Sequence, residues 1–396
     1  ARHVDDMPGL AESSMIQCAF CTAQADFDGA VNFLGQAVKI GRQLEADEPR
    51  LYGLTHIANT YTYMGLFEDA WKTTQEAKAL ANETGNRRYL AELMTFSIPF
   101  YHLRNGDIEK ARRTAQEGTQ IAQQIGSIPS GVAGNYLLGN LAQFQGQYED
   151  ALAYYQSASE INGGSIPFLE AVILCMLGST HLEIGSDLKD KVLHYHDQAE
   201  DLLNNNPMGG VMASAAWAEL GYCALSVDKL DLARSLFHQG LTTPTAMMRL
   251  SRPKLLMGAA FVNLAENNID KALESIADAQ VYIDDRQMKH MAPYVSLAMG
   301  KIYIAKGEFE EALEYCLRAE EAAAEMGFLP VVWQAQANAA AALQKLNLDE
   351  QAQEKQNQAL ENIQEIKGLI ENQDLSDVFA ANAMSELHIS HTQLMG

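Results

Sequence analysis

The sequence has 396 residues, with 51 acidic against 28 basic side chains and a formal charge of −23. That excess argues against a sequence-independent grip on nucleic acid phosphates and against docking on an anionic membrane surface. With only 10 prolines and no alternating run rich in Val, Ile or Thr, the composition leaves helix dominant and little or no sheet expected.

The five cysteines, Cys18, Cys21, Cys175, Cys223 and Cys316, are odd in number, and most lie in apolar helical patterns such as VILCML and LGYCAL. This is the habit of buried thiols in a reducing compartment. Cys18 and Cys21 form a CxxC, but no second pair and no preceding strand accompany it, so neither zinc nor redox chemistry is assigned there. No apolar run reaches the roughly 20 residues that cross a bilayer, and no signal peptide opens the sequence. A soluble, cytoplasmic protein is expected. The first residue is Ala1 rather than Met, as in a piece of a longer chain.

In chain order, one phrase recurs nine times: ADFDGAVNFLGQA, GLFEDAWKTTQEA, GDIEKARRTAQEG, GQYEDALAYYQSA, DLKDKVLHYHDQA, DKLDLARSLFHQG, NNIDKALESIADA, GEFEEALEYCLRA and NLDEQAQEKQNQA. Its anchors are Ala30, Ala70, Ala111, Ala151, Val192, Ala233, Ala272, Ala312 and Ala352, at intervals of 39 to 41 residues. A period this regular is the signature of a repeat architecture. Upstream of each turn lies a second helical phrase with its own small residue, such as Ala58, Gly139, Gly178, Gly221 or Gly300. Each unit is therefore read as helix A, a short turn carrying Gly or Asn, and helix B. The small residues let the two helices approach closely. The turn glycines, Gly65, Gly106, Gly146 and Gly307, take positive φ after helix A without steric cost. One pair cannot bury its apolar faces alone, so neighbours must stack.

The fifth unit needs a slightly longer turn between Gly185 and Val192. Residues 204–210 and 241–253 are the richest in turn formers and are read as joints between pairs, without a linker that would divide the chain. The predicted array covers residues 1–372. Residues 373–396 are predicted as a capping helix that starts near Asp374 to Ser376, with a frayed tail from Ser390.

These residues resemble the tetratricopeptide repeat, whose signature places Trp, Leu, Gly and Tyr in helix A, then Gly-x-Tyr, then Ala, Tyr or Phe, and Ala in helix B. The resemblance covers roughly residues 9 to 370 and implies an all-α, α-α superhelix of about nine helix pairs with a C-terminal capping helix. The period exceeds the usual 34 residues by about six, which implies helices nearly a turn longer. This longer unit is similar to the sensor superhelices of MalT-like signalling ATPases and cyclase-linked repeat proteins, and to kinesin light chains and spindle adapters. HEAT repeats share the period but lack the Gly-x-aromatic turn.

The sequence carries no GxxxxGK[ST], HExxH, GxSxG or dinucleotide glycine motif. His194 and His196, at i and i+2 on a helix, point in different directions. The glutamates of 308–325 lack the ligand order of a calcium loop. No enzyme and no cofactor or metal is therefore expected.

In tetratricopeptide arrays the A helices line the concave wall. The resemblance accordingly assigns to a partner-binding groove Tyr52, Asn59 and Tyr63; Phe96, Phe100 and Arg104; Tyr136, Asn140 and Phe144; and Tyr222, Met257, Phe261 and Tyr294. Such an aromatic wall fits a protein or peptide partner, or other domains of a parent chain. Asn59 and Asn140 are expected to bond an extended peptide backbone. Arg104, Lys254 and Lys301 are the few cations expected inside it. The competing expectation is that some of these aromatics pack between A helices in a tighter superhelix. Two functions follow from the resemblance: the sensor part of a larger signalling protein, or a self-contained adapter that holds a peptide.

Overall fold

The computed structural model describes residues 6–205, 213–245 and 247–392, and every regular element among them is helical. Nine pairs succeed one another. The first three are α1 (Met7–Ala23) with α2 (Phe27–Gln43), α3 (Asp47–Met64) with α4 (Phe67–Glu83), and α5 (Arg87–Thr95) and α6 (Ser97–Arg104) with α7 (Ile108–Ile125). The next three are α8 (Ile128–Phe144) with α9 (Tyr148–Asn162), α10 (Pro167–Ile184) with α11 (Lys189–Asn205), and α12 (Ala213–Ser226) with α13 (Leu230–Thr242). The last three are α14 (Met248–Ala265) with α15 (Ile269–Asp285), α16 (Ala292–Lys306) with α17 (Phe309–Met326), and α18 (Leu329–Lys345) with α19 (Asp349–Gly368). A final helix, α20 (Gln373–Thr392), closes the array.

The periodic small residues are what let each pair close. All nine anchors, from Ala30 to Ala352, are at most 5% exposed. The A-helix glycines sit directly against the partner helix: a methyl group at Gly139 would lie 2.5 Å from the Tyr155 ring, and one at Gly300 would lie 2.5 Å from Cys316 Sγ. Within every pair but the fifth, the turn places one residue in the left-handed region. Glycine does this at Gly65, Gly106, Gly146 and Gly307, but Ala25, Glu45, Asp228, Asn267, Gln287 and Asn347 take the same conformation. The turn geometry is thus imposed by pair packing and tolerates residues for which positive φ is strained.

Two local departures have clear causes. The A helix of the third pair is broken at Phe96, which has φ −133 and ψ −80. Pro99 has no N–H to donate to the Thr95 carbonyl and its ring crowds that oxygen. The turn of the fifth pair contains a 3₁₀ segment, Ser186–Leu188, which supplies the extra length expected there. The start of α20 lies slightly earlier than expected, because Asn372 Oδ1 accepts from the backbone N–H groups of Asp374 and Leu375 and acts as the cap. The helix is described through Thr392; residues 393–396, in which most of the expected tail falls, with most of the 204–210 joint and Ala246 in the 241–253 joint, lie outside the described residues.

The pairs wind far enough for successive turns of the superhelix to touch. The turn residue Gly65 meets Arg286 at the end of the seventh pair, Gly106 meets Met326 at the end of the eighth, and Gly146 meets Ile366 at the end of the ninth. Each contact joins a turn to the B-helix terminus five pairs further on. Polar bonds follow the same seam: Arg249 Nη1 donates to the Met64 carbonyl at 3.1 Å, and Arg104 Nη2 donates to Gln287 Oε1 at 3.1 Å. At the far end Glu149 Oε2 accepts from the backbone N–H groups of Glu371 and Asn372. Apolar packing fills the seam, with Leu103, Leu137 and Leu141 in one cluster with Leu297, Phe328 and Val331.

Candidate binding cavity

The A helices face inward, and closure of the seam turns their shared concave wall into a cavity of about 920 Å³. Side chains from α1, α3, α5, α6, α8, α10, α12, α14, α16 and α18 line it, so every pair contributes. Pro167–Ile184 is the one described helix long and apolar enough to cross a membrane, and it is packed in the centre of the largest apolar cluster.

Of the residues expected on the concave wall, Tyr52, Asn59, Tyr63, Phe96, Phe100, Tyr136, Asn140, Phe144, Tyr222, Met257, Phe261 and Tyr294 all line this cavity. Several also pack on one another across neighbouring A helices, as the competing expectation held: Tyr63 lies 5.4 Å from Phe96, and Phe144 lies 6.0 Å from Tyr294, between ring centroids. Arg104 is the exception. It is 2% exposed and turned into the seam, where its guanidinium lies 3.3 Å from Glu68 Oε1 and 4.8 Å above the Phe67 ring. An unbroken A helix would aim position 104 at the groove as position 63 is aimed in the second pair; the break at Phe96 changes that register. Lys254 and Lys301 do line the cavity.

The polar groups of the wall are held by the protein itself. Asn59 Nδ2 donates to Glu92 Oε1 at 3.0 Å, while its Oδ1 accepts from Ser97 Oγ at 2.5 Å. Asn140 Oδ1 accepts from the Tyr155 hydroxyl at 2.7 Å. These two amides are thus tied to neighbours rather than presented free. Gln143 accepts from Tyr155 at 3.0 Å and donates to Glu183 Oε1 at 2.6 Å. Lys254 Nζ donates to Glu219 Oε1 at 2.5 Å, and Lys301 Nζ donates to Gln334 Oε1 at 2.9 Å.

Burial dominates the ionisation of this wall. It pushes the Tyr63 and Tyr136 hydroxyls up to about 12 and the Glu183 carboxyl up to about 7, and it drives His290 down to about 4. The Cys18 thiol is likewise raised by burial and donates to the Met15 carbonyl at 3.0 Å, which keeps it from thiolate chemistry. All five cysteines are free. His196 is buried and His194 exposed, on opposite sides of α11 as their spacing implies.

Glu92, Glu183, Glu219 and His290 line the cavity although the repeat pattern did not mark them. A signal existed: Glu219 is the one charged residue of α12, and Glu183 lies in the last turn of the strongly apolar α10. A carboxylate in such a helix is costly to bury and points to a constructed polar site.

The fold is a tetratricopeptide repeat superhelix. The tetratricopeptide repeat profile matches residues 132–164 and 295–325, the fourth and eighth pairs, which carry the Gly-x-aromatic turn and the Ala-rich B helix together. Among solved structures, the chain is similar to a Rap protein complexed with competence and sporulation factor, at TM-score 0.60 and 12% identity over 91% of this chain and 99% of that one. It is also similar to the Rap conjugation gene regulator of plasmid pLS20 in complex with the Phr* peptide, at TM-score 0.54 and 14% identity over 81% and 96%. A third likeness is to a signal transduction ATPase with numerous domains and a tetratricopeptide repeat sensor from Pyrococcus horikoshii, at TM-score 0.50 and 13% identity, covering 88% of this chain and 56% of that one. No curated protein sequence gives a match.

Proposed function

We propose that this chain is a non-catalytic recognition module that holds a short extended peptide in its central cavity. The observation that carries this reading is the cavity itself, built by every A helix and lined by aromatic and aliphatic side chains with a few fixed polar groups. That is the composition of a ligand site and of an interface centre. The likeness to Rap proteins complexed with a factor or a peptide supports the same reading. The likeness to a sensor within a larger ATPase supports placing the module in a signalling protein, and a peptide-binding adapter is the second reading, because all nine helix pairs contribute residues to one cavity. The buried free thiols fit a reducing, cytoplasmic setting.

A cavity-filling variant tests the proposal without removing existing contacts. Ala133 lines the cavity on α8 and is only half-buried. Ala133→Trp should preserve the helical circular dichroism spectrum and melting point within a few degrees while abolishing retention of peptides from the low-mass fraction of a host extract. Equal retention by both proteins would contradict binding in this cavity.

A further inference from the structure

Glu219 is 6% exposed, and while its Oε1 is bonded to Lys254, its Oε2 is buried against the cavity with no hydrogen-bond partner. A buried carboxylate oxygen without a partner forfeits its hydration, and the loss is larger than for a neutral group. Glu183, from the adjoining A helix, lines the same cavity and is held by Gln143 Nε2 and the Tyr148 hydroxyl. The two carboxylates stand on α10 and α12 and line the same cavity, with Lys254 beside them on α14 bonded to Glu219; the Glu219 charge raises the Glu183 carboxyl and the Lys254 charge lowers it. One ammonium group cannot neutralise two carboxylates, so this part of the wall is short of one positive charge and of one donor.

We propose that the cavity reads a basic side chain, the guanidinium or ammonium group of the bound peptide being received between Glu183 and Glu219 while its apolar residues lie against Phe100, Phe144 and Phe261. The proposal rests on the peptide reading given above. A guanidinium suits the place best. Its planar fork supplies several donors at fixed angles, enough to satisfy Glu219 Oε2 while also pairing with Glu183. In the empty cavity the raised affinity of Glu183 for a proton serves the same end, since a neutral carboxyl replaces the missing cation; an incoming guanidinium displaces that proton. The groups that set this balance are Gln143, Tyr148, Lys254 and Glu219 around Glu183.

The test uses pools of hexapeptides, acetylated and amidated at their ends, with one position fixed as Arg, Lys, Leu or Glu and the remainder drawn from Ala, Leu and Phe. Binding to the full chain is read by native mass spectrometry. The Arg pool should be retained at least about tenfold more than the Leu pool, with the Glu pool weakest. Glu219→Gln and, separately, Glu183→Gln should bring the ratio of Arg-pool to Leu-pool retention down towards one, each ratio being taken within a single variant; the second variant keeps the test valid if loss of the Lys254 pair perturbs the first. Equal retention of the Arg, Leu and Glu pools, or an Arg preference that survives both substitutions, would overturn the basic-residue subsite and leave peptide binding standing. Retention of no pool would overturn the peptide reading itself.

Discussion

Phe237 shows how tightly single residues determine this fold. Its ring, 1% exposed, lies between Gly221 of α12 and Gly258 of α14, so that a methyl group at Gly221 would come within 2.5 Å of it and one at Gly258 would also collide. The two glycines are helix-interior positions that by propensity favour alanine; here the missing Cβ is what admits the aromatic ring. Gly221→Ala should therefore destabilise by about 1–3 kcal/mol through overpacking. Gly35, exposed in α2 with nothing near it, offers the contrast: Gly35→Ala should stabilise by about 0.5–1 kcal/mol. Urea denaturation of both variants checks the pair, and a neutral Gly221→Ala would show that the ring has room to move. Gly221 was recognisable in the sequence because it recurs at the A-helix position of the other units. Gly258 serves the same ring from the next pair, and that contact does not show in the period of a single helix pair.

The two elements with the most individual behaviour are the broken third A helix and the closing helix. Pro99 is plain in the sequence, yet its consequence for Arg104 depends on where the chain resumes after Phe96, and a uniform repeat register misplaces that side chain. The closing helix is joined to the array by apolar contacts, with Phe379 buried against Tyr148 at 5.6 Å between rings, and by the carboxylate of Glu149 bonded to the N–H groups of Glu371 and Asn372. A carboxylate at that place also complements the positive end of α20. Glu149→Ala should leave the nine pairs intact and release the first turn of α20, seen as hydrogen exchange accelerated about tenfold for amides near residues 373–378. Unchanged protection there would mean that the apolar face of α20 alone fixes it.

Across the whole molecule the repeat period, the pair boundaries and the inward direction of the A helices were legible, because each follows from contacts inside one or two units. Closure was not. It depends on a small rotation repeated from pair to pair, which accumulates until a turn meets the chain five pairs later, and no single unit encodes it. The seam has its own pH sensitivity. His290 is buried in it beside Arg104, its basicity lowered first by burial and then by that guanidinium, with a hydrogen bond to the Arg104 backbone acting the other way. Its pKa of about 4 lies below the ordinary 6.5, so the unfolded chain takes up the proton more readily; its contribution is intact above pH 6.5 and is lost as pH falls towards 4. Glu183 acts in the opposite sense, its cost growing as pH rises from 4.5 to about 7. A His290→Gln variant should accordingly lose less of its melting temperature between pH 7 and pH 5 than the parent does, and an identical loss would remove His290 from the account. The central claim, that the closed concave wall is the place of recognition, is tested most directly by photocrosslinking. Phe168 lines the cavity, whereas Leu232 is 44% exposed on α13 and absent from the cavity wall. With p-benzoylphenylalanine at position 168 or 232, irradiation with the host's low-mass peptide fraction should give a peptide adduct at 168 and none at 232; adducts at 232 alone, or equally at both, would contradict it.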